Sequence, residues 1–266
     1  MSDFLTMIME KRRSDVEAAK RGGDYDELKS DARELRSCRE AFRFSTALSN
    51  RNRINVIAEI KRASPSRGVI NDRINVHDVA KTYEAGGAAA ISVLTEPGHF
   101  RGSLKDLEEV TCGVVIPVLR KDFTVDEFQI YEAAVTGAGA VLLIVAGLAR
   151  SELEILFNCA NELGLDALVE VHNENELTTA LKLGAKLIGV NNRDLNTLEV
   201  SLDTSRRLIA GKPDGVTMIA ESGITSIDEI LELRSLGFDG FLIGEALMRA
   251  REPAIALRSW TTVQPS

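Results

Sequence analysis

A short pattern recurs along the chain: the end of a helix, then a glycine, then a run of apolar residues. It occurs at 83–93, 135–145, 181–190 and 234–244, as YEAGGAAAISV, VTGAGAVLLIV, LKLGAKLIGV and RSLGFDGFLIG. Glycine suits the left-handed position that closes a helix. Continuous apolar runs are typical of strands buried on both faces of a parallel sheet. The repeat therefore predicts βα units in series.

The number of these units points to one architecture. Strands are predicted at 54–61, 89–94, 115–120, 140–145, 166–171, 186–191, 216–221 and 240–243. Helical patterns follow them near 77–86, 103–111, 125–137, 149–163, 173–183, 203–210, 225–236 and 245–257. Eight strands alternating with eight helices is the composition of a (β/α)8 TIM barrel. A doubly wound open sheet is the alternative, and the lack of GxGxxG after the first strand weakens its dinucleotide-binding form.

The first fifty residues precede the first strand and are charged and helix-prone. They contain apolar positions such as Phe4, Ile8 and Phe44, which favour packed helices over a disordered tail. We expect two or three extra helices here, packed on the barrel. The expected organisation is one domain over 1–266, with a helical extension at 1–50 and eight βα units at 51–260.

Composition and charge exclude several classes of protein. The 266-residue chain has a net charge of −8 and no basic run, so nucleic-acid binding is not expected. Its three cysteines form no CxxC pair, which favours reduced thiols in a cytoplasmic protein. The longest apolar stretch, 137–149, is shorter than the roughly 20 residues that span a bilayer, and no secretory signal is apparent.

Polar side chains follow the predicted strands at the points where those strands end. In a TIM barrel, the strand ends and the loops after them carry the functional groups. Isolated buried charges are costly, so acids and lysines gathered at one mouth would pair with each other and have perturbed pKa values. Such groups transfer protons near neutral pH. The candidates are Glu59, Lys61, Lys121, Glu170, Asn191, Arg193, Glu221 and Ser222.

Two glycines lie in the loops after the seventh and eighth strands. Gly223 precedes one predicted helix, and Gly244 opens the last one. These loops form the frequent phosphate site of such barrels, where backbone N–H groups at a helix start face an anion. Arg193 would add charge-assisted hydrogen bonds. The histidines, including His172 beside the fifth strand end, are not spaced as metal ligands; we expect His172 to be a surface residue or to support the site from behind.

Six sequence blocks resemble the indole-3-glycerol-phosphate synthase family in order and position. They are EIKRASPSRG (59–68), VLRKDF (118–123), LVEVH (168–172), IGVNNRDL (188–195), AESGI (220–224) and FLIGEALM (241–248). The resemblance extends over nearly the whole chain and includes the N-terminal extension. It implies closure of an indole ring from 1-(2-carboxyphenylamino)-1-deoxyribulose 5-phosphate with loss of carbon dioxide and water, as part of tryptophan biosynthesis. The family needs no metal or cofactor.

The resemblance also implies a division of labour. Lys121 would polarise the carbonyl group as the ring attacks it, and Lys61 would hold the departing carboxylate or share the acid role. Glu170 would transfer protons, and Glu59 would position Lys61. Asn191 and Glu221 would orient the intermediate. The phosphate and substrate would be bound by Ser64, Arg193, Ser222, Gly223, Gly244 and Glu245.

Two features qualify this assignment. Many relatives have a small residue where this chain has Glu245, so we expect only its backbone N–H to contact phosphate, with the carboxylate directed to solvent. The loop at 63–73, rich in serine, glycine and arginine, is predicted to be a mobile cover over the site.

Three alternatives remain open from the sequence. A Schiff-base aldolase would use Lys121 or Lys61 as a nucleophile. A phosphoribosylanthranilate isomerase would share the barrel and the phosphate site. An inactive scaffold subunit for a neighbouring enzyme would have no need of both lysines and the acids. The sequence does not fix the oligomeric state, and a monomer is one option.

Overall fold

The computed structural model describes residues 4–195 and 197–262. Within these ranges, eight parallel strands form a closed barrel in which the first strand pairs with both the second and the eighth. In chain order the strands are β1 (Asn55–Ile60), β2 (Ala90–Leu94), β3 (Val118–Lys121), β4 (Ala140–Ile144), β5 (Asp166–Val171), β6 (Leu187–Asn191), β7 (Thr217–Glu221) and β8 (Gly240–Ile243). The predicted TIM barrel is confirmed, and closure excludes the open sheet.

Helices surround the barrel and connect its strands. Three precede β1: α1 (Phe4–Gly22), α2 (Tyr25–Ser37) and α3 (Arg43–Ala47). The others are α4 (Val76–Ala85), α5 (Leu104–Gly113), α6 (Glu127–Val135), α7 (Arg150–Glu162), α8 (Glu174–Leu183), α9 (Asp203–Leu208), α10 (Ile227–Ser235), α11 (Glu245–Arg249) and α12 (Pro253–Thr261). None of the helices in the described ranges is long and apolar enough to cross a membrane.

Prolines account for two boundaries that the sequence pattern placed wrongly. The third strand was predicted from 115 but begins at Val118, because Pro117 has no N–H for the sheet ladder. The last helix was predicted as one segment but is divided into α11 and α12. Pro253 cannot occupy a helix interior, whereas it suits the first turn of α12, and it keeps Glu252 out of the helical conformation (φ −133°, ψ 77°).

The strands alternate between two apolar environments, which explains their continuous apolar sequences. In β5, Ala167, Val169 and Val171 pack outward among the helices, whereas Leu168 packs inside the barrel. The next inward residue is Glu170. The interior therefore changes from apolar to polar at the carboxyl ends of the strands.

The N-terminal helices pack on both ends of the barrel. Phe44 of α3 is fully buried among the inward residues, and the Ser45 N–H donates to Asp166 at the amino end of β5 (3.0 Å). Arg12 of α1 binds both carboxylate oxygens of Asp122, just after β3, at 3.0 and 2.8 Å. The predicted helical extension is confirmed.

Candidate active site

One cavity of about 830 Å³ opens at the carboxyl ends of the strands. All of the predicted site residues line it: Glu59, Lys61, Ser64, Lys121, Glu170, Asn191, Arg193, Glu221, Ser222, Gly223, Gly244 and Glu245. They come from six strands and the loops that follow, so only barrel closure brings them together.

The acid and base of the first strand form an ion pair. Lys61 Nζ lies 2.6 Å from Glu59 Oε1, with both side chains largely buried. Two residues apart along an extended chain, they share the inner side of the barrel. A side chain at Gly244 would overlap Glu59 Oε1 and approach Lys61 Nζ to 3.0 Å. Gly244 is thus required for packing against this pair as well as for the loop after β8.

Lys121 lies between two buried carboxylates. Its Nζ is 3.1 Å from Glu170 Oε2 and 3.4 Å from Glu221 Oε2. Burial alone would lower the pKa of Lys121, but the charges of Glu170, Glu221 and Glu59 outweigh burial and raise that pKa. Lys121 is therefore an ammonium group at neutral pH.

The two carboxylates beside Lys121 have opposite protonation preferences. Burial favours the neutral form of Glu170, but the charges of Lys121 and His172 lower its pKa well below the ordinary range. Burial raises the pKa of Glu221 to about 8, with Lys121 opposing the shift and Glu170 and Glu59 adding to it. Glu170 is thus ionised, while Glu221 exchanges a proton near neutral pH.

Glu221 owes its position to a glycine on the neighbouring strand. A Cβ at Gly189 would overlap Glu221 Oε1 and lie 3.1 Å from its Cδ. That buried oxygen has no hydrogen-bond partner among the described residues. The carboxylate therefore occupies the space that the absent side chain leaves inside β6.

His172 supports Glu170 from behind and is not a surface residue. Its Nε2 lies 3.4 Å from Glu170 Oε1, and its Nδ1 lies 3.1 Å from Glu176 Oε2 on α8. Burial alone would lower the pKa of His172, but the two neighbouring carboxylates of Glu170 and Glu176 raise it to about 10. The supporting position anticipated from the sequence is the one observed.

The loops after β6 and β7 form the polar rim of the cavity. Asn191 Oδ1 accepts from the Arg193 N–H (3.0 Å), and the Arg193 guanidinium donates to the Leu198 carbonyl (2.9 Å). Ser222 (φ +65°) and Gly223 (φ +81°) are both in the left-handed region. A side chain at position 223 would also overlap Val200. This tight turn exposes backbone to the cavity.

Glu245 is directed differently from the expectation. Its Oε1 lies 3.2 Å from Arg67 Nε and 3.3 Å from an Arg249 nitrogen, and about a third of its side chain is exposed (32%). The carboxylate is therefore ion-paired at the rim and not directed freely to solvent. The contact with Arg67 ties the loop after β1 to the start of α11.

That loop is partly ordered by a short ribbon. Ala63–Ser64 and Gly68–Val69 pair in antiparallel fashion, with Gly68 at φ +64°. Ser64 is buried and faces the cavity, as does Arg67 nearer the opening. The mobility of the loop at 63–73 remains a prediction.

Sequence reasoning missed the aromatic wall of the cavity. Phe4, Phe100 and Phe123 line one side together with Leu142 and Ile144. Phe123 closes the VLRKDF block and was detectable there, whereas Phe4 belongs to the distant extension. The loop carrying Phe100 is held by the buried carboxylate of Glu96, which accepts the backbone N–H of residues 98–100 at 2.7–3.0 Å.

Comparison with known proteins identifies the family. The family model described as indole-3-glycerol phosphate synthase matches residues 5–260. The chain is 46% identical over 258 residues to an indole-3-glycerol phosphate synthase from Carboxydothermus hydrogenoformans, covering 96% of this chain and 98% of that protein. It is 43% identical to the one from Desulfosudis oleivorans, covering 98% and 100%. The chain belongs to the indole-3-glycerol phosphate synthase family.

The family predicted from the six sequence blocks is thereby confirmed. Indole-3-glycerol phosphate synthases are carboxy-lyases of tryptophan biosynthesis, and this is the activity of the family to which the chain belongs. Family membership does not by itself assign a role to any side chain.

Solved structures with low sequence identity resemble the fold. An N-acetylmannosamine-6-phosphate 2-epimerase from Clostridium perfringens matches with a TM-score of 0.56 at 16% identity, covering 72% of this chain and 86% of that one. A thiamine phosphate pyrophosphorylase from Pyrococcus furiosus matches with a TM-score of 0.57 at 19% identity, covering 78% and 93%. These likenesses concern the barrel alone.

Proposed function

We propose that this chain converts 1-(2-carboxyphenylamino)-1-deoxyribulose 5-phosphate to indole-3-glycerol phosphate in the cavity at the carboxyl ends of the strands. The observation that carries the proposal is the contact of the Lys121 ammonium group with Glu170 and Glu221 beneath an aromatic wall. An acid held charged between two carboxylates, beside a surface suited to a flat ring, matches the chemistry of ring closure.

The first step forms the carbon–carbon bond. The ring carbon that bears the carboxylate attacks the ketone carbon, and Lys121 gives a proton to the carbonyl oxygen. An aromatic ring is a poor nucleophile, so the carbonyl must be polarised, and a positioned acid typically contributes roughly 10²–10⁴ in rate. Lys61, aligned by Glu59 at 2.6 Å, binds the substrate carboxylate until its bond to the ring breaks and carbon dioxide leaves.

The second step removes water. The hydroxyl group formed from the carbonyl leaves with a proton from an ammonium group, the two lysines sharing the acid role. Glu170 takes the proton that must leave the carbon beside the nitrogen, which completes the aromatic five-membered ring. Asn191 and Glu221 orient the intermediate. With its pKa of about 8, Glu221 can also take up or release a proton at the pH of the reaction.

The phosphate binds at the rim formed after β6, β7 and β8. Helix α11 begins at Glu245 with no side-chain cap from Gly244, so its first N–H groups have no capping side chain. Arg193 adds a cation, and the Ser222–Gly223 turn adds backbone donors. Ser64 contacts the substrate from the loop after β1. Glu245 contributes its backbone N–H, while its carboxylate keeps Arg67 at the rim (3.2 Å).

The charge state of Lys121 disfavours the aldolase alternative. A Schiff base requires a neutral amine, and the neighbouring carboxylates raise the pKa of Lys121. We expect borohydride treatment with a keto-sugar phosphate to leave the protein unmodified. A covalent adduct on Lys121 would favour the aldolase.

The test is an assay of the purified protein with the carboxyphenylamino-deoxyribulose phosphate and no added metal, following indole fluorescence. We expect product from the parent and a loss of about 10²-fold or more in kcat for Lys121→Met, with circular dichroism showing a folded variant. The proposal would be contradicted if fluorescent product formed without folded parent protein. Parental turnover in Lys121→Met would contradict it as well.

Three further properties belong to the same proposal. We expect residues 1–266 to form one folded unit, because α1 and α3 are tied to strand ends by Arg12–Asp122 and Ser45–Asp166 contacts. We expect a cytoplasmic protein that binds no nucleic acid, in line with its net charge of −8. A monomer is one option for the oligomeric state, and light scattering measures which state the protein adopts.

A further inference from the structure

His172 lies directly behind the proposed proton-transfer group. Residue 172 directly follows the end of β5, two residues after Glu170, and its ring lies beside the Glu170 carboxylate. His172 Nε2 lies 3.4 Å from Glu170 Oε1, while Glu170 Oε2 faces Lys121 at 3.1 Å. The two carboxylate oxygens of Glu170 thus face two different basic groups.

The other ring nitrogen of His172 faces a second carboxylate. Nδ1 lies 3.1 Å from Glu176 Oε2, and the same oxygen accepts the His172 backbone N–H at 2.8 Å. Glu176 Oε1 accepts from the Asn173 side chain at 2.6 Å, and the Asn173 side chain caps the start of α8. The first turn of α8 therefore holds Glu176, and Glu176 holds the imidazole.

A ring with a carboxylate at each nitrogen is stable as an imidazolium, because both nitrogens can then donate. Nδ1 is within hydrogen-bond distance of Glu176, whereas Nε2 has no hydrogen-bond partner among the described residues and lies at an ion-pair distance of 3.4 Å from Glu170 Oε1. The charged groups around Glu170 are His172 on its own strand end, Lys121 from β3 and Glu221 from β7, with Glu176 beyond the ring. Glu170 is thus compensated by two cations on opposite sides.

We propose that His172, oriented by Glu176, is a positioning residue that fixes the Glu170 carboxylate in its ionised form with Oε2 towards Lys121 and the cavity. The inference rests on the proposed role of Glu170 as the proton acceptor. Without the ring, Lys121 is the cationic neighbour that remains to Glu170 in the described part of the chain, so the carboxylate turns more freely and follows the ammonium group. The raised pKa of His172 agrees with a ring that stays charged throughout the working pH range.

The expected effect is on turnover and not on substrate binding. His172→Gln retains an amide of similar reach but no charge, and Glu176→Gln leaves the ring in place but removes its anion. We expect kcat to fall roughly tenfold to a hundredfold in each, the range of a hydrogen bond to a charged group, with KM changed less than about threefold. The double variant should lose no more than His172→Gln alone. His77→Gln, on the exposed face of α4, is the matched control and should keep parental kinetics.

A spectroscopic measurement separates this role from a merely structural one. In ¹⁵N spectra of the imidazoles, the signals of His172 are identified as those that His172→Gln lacks. In the parent protein at pH 8, we expect these signals to show both ring nitrogens protonated. In Glu176→Gln the same signals should move towards the neutral form. Because Glu176→Gln keeps the ring, it also provides a folded variant if His172→Gln is unstable.

Different results would refute the positioning role of His172 and the proposed role of Glu170. Parental kcat in His172→Gln, a change in KM alone, or a neutral His172 at pH 8 would refute the positioning role. Independent losses that multiply in the double variant would show that Glu176 does not act through His172. Glu170→Gln is measured in parallel. If it keeps parental turnover, the proposed role of Glu170 is refuted. If Glu170→Gln is inactive while His172→Gln is fully active, only the positioning role of His172 is refuted.

Discussion

Gly189→Ala is expected to lower kcat although it replaces no ionisable residue. Gly189 lies on the inner face of β6, where an added Cβ would overlap Glu221 Oε1 and lie 3.1 Å from its Cδ and 3.3 Å from Leu168 Cδ1. Strand and apolar neighbours cannot move easily, so the Glu221 carboxylate must shift by roughly 1 Å to regain van der Waals separation.

The size of the effect follows from the contact that is lost. Lys121 Nζ is already 3.4 Å from Glu221 Oε2. Above pH 8, where Glu221 is mostly ionised, moving its carboxylate about 1 Å further weakens that attraction by about 1 kcal/mol at an effective dielectric constant near 20. Overpacking a barrel interior adds typically about 1–3 kcal/mol of destabilisation. We therefore expect kcat to fall about fivefold at that pH and the Tm to fall by roughly 2–10 °C.

Gly240→Ala is the matched control, because it overpacks the amino end of the same barrel. Its Cβ would lie 2.8 Å from Ile219 Cδ1 and 3.2 Å from the Asn55 carbonyl oxygen, far from the cavity. Thermal unfolding should destabilise both variants, whereas steady-state kinetics should show a loss only in Gly189→Ala. Adding Glu221→Asp to Gly189→Ala shortens the displaced side chain and should recover stability. Parental kcat and Tm in Gly189→Ala would refute the reasoning.

Three other outcomes are expected. Arg12→Leu removes the bidentate partner of the buried Asp122, which keeps Arg120 as a cation at 3.2 Å, and should lower the free energy of unfolding by about 1–3 kcal/mol in urea titrations; a loss below about 0.5 kcal/mol, the scale of a surface substitution, would contradict this. Glu221 has a pKa of about 8 when folded against an ordinary 4.5, so the folded state binds an extra proton and stability falls as pH rises through this range. Glu221→Gln should flatten that fall between pH 5 and 8.5, and parallel curves would count against it. Arg67→Ala removes a cation paired with Glu245 at the rim (3.2 Å) and should raise KM several-fold more than it lowers kcat. A larger effect on kcat than on KM would contradict this.

The fold and the inner polar layer were predictable because both follow from periodicity. Repeated glycine–strand units fixed the barrel, and alternation along β1 and β5 placed Glu59 and Glu170 inside. The same rule applied to β5 pairs Glu170 with His172, so the supporting role of His172 was within reach. The strand and helix boundaries at Pro117 and Pro253 could also have been predicted from the missing N–H and fixed φ of proline.

Other parts of the site depend on contacts that no local pattern contains. Phe4 reaches the cavity only because α1 is anchored through Arg12 to Asp122, 110 residues away along the chain. The ion pair between Arg67 and Glu245 joins a loop after β1 to a helix after β8. Such pairings arise from barrel closure, and one sequence cannot specify which rim residues meet across it.

The charge balance of the inner layer accounts for why an acidic protein can admit an anionic substrate. Glu59 is paired with Lys61, Glu170 with Lys121, and His172 lies between Glu170 and Glu176. Because burial raises the pKa of Glu221 to about 8, that carboxyl group is mostly protonated at pH 7, so three cations face three anions and the layer has no net charge. Such a layer does not repel a carboxylate, whereas an ionised Glu221 would add one negative charge. Neutralising His172 leaves the charge of Glu176 without its cation, so His172→Gln should favour the protonated form of Glu221 as well as loosen the position of Glu170.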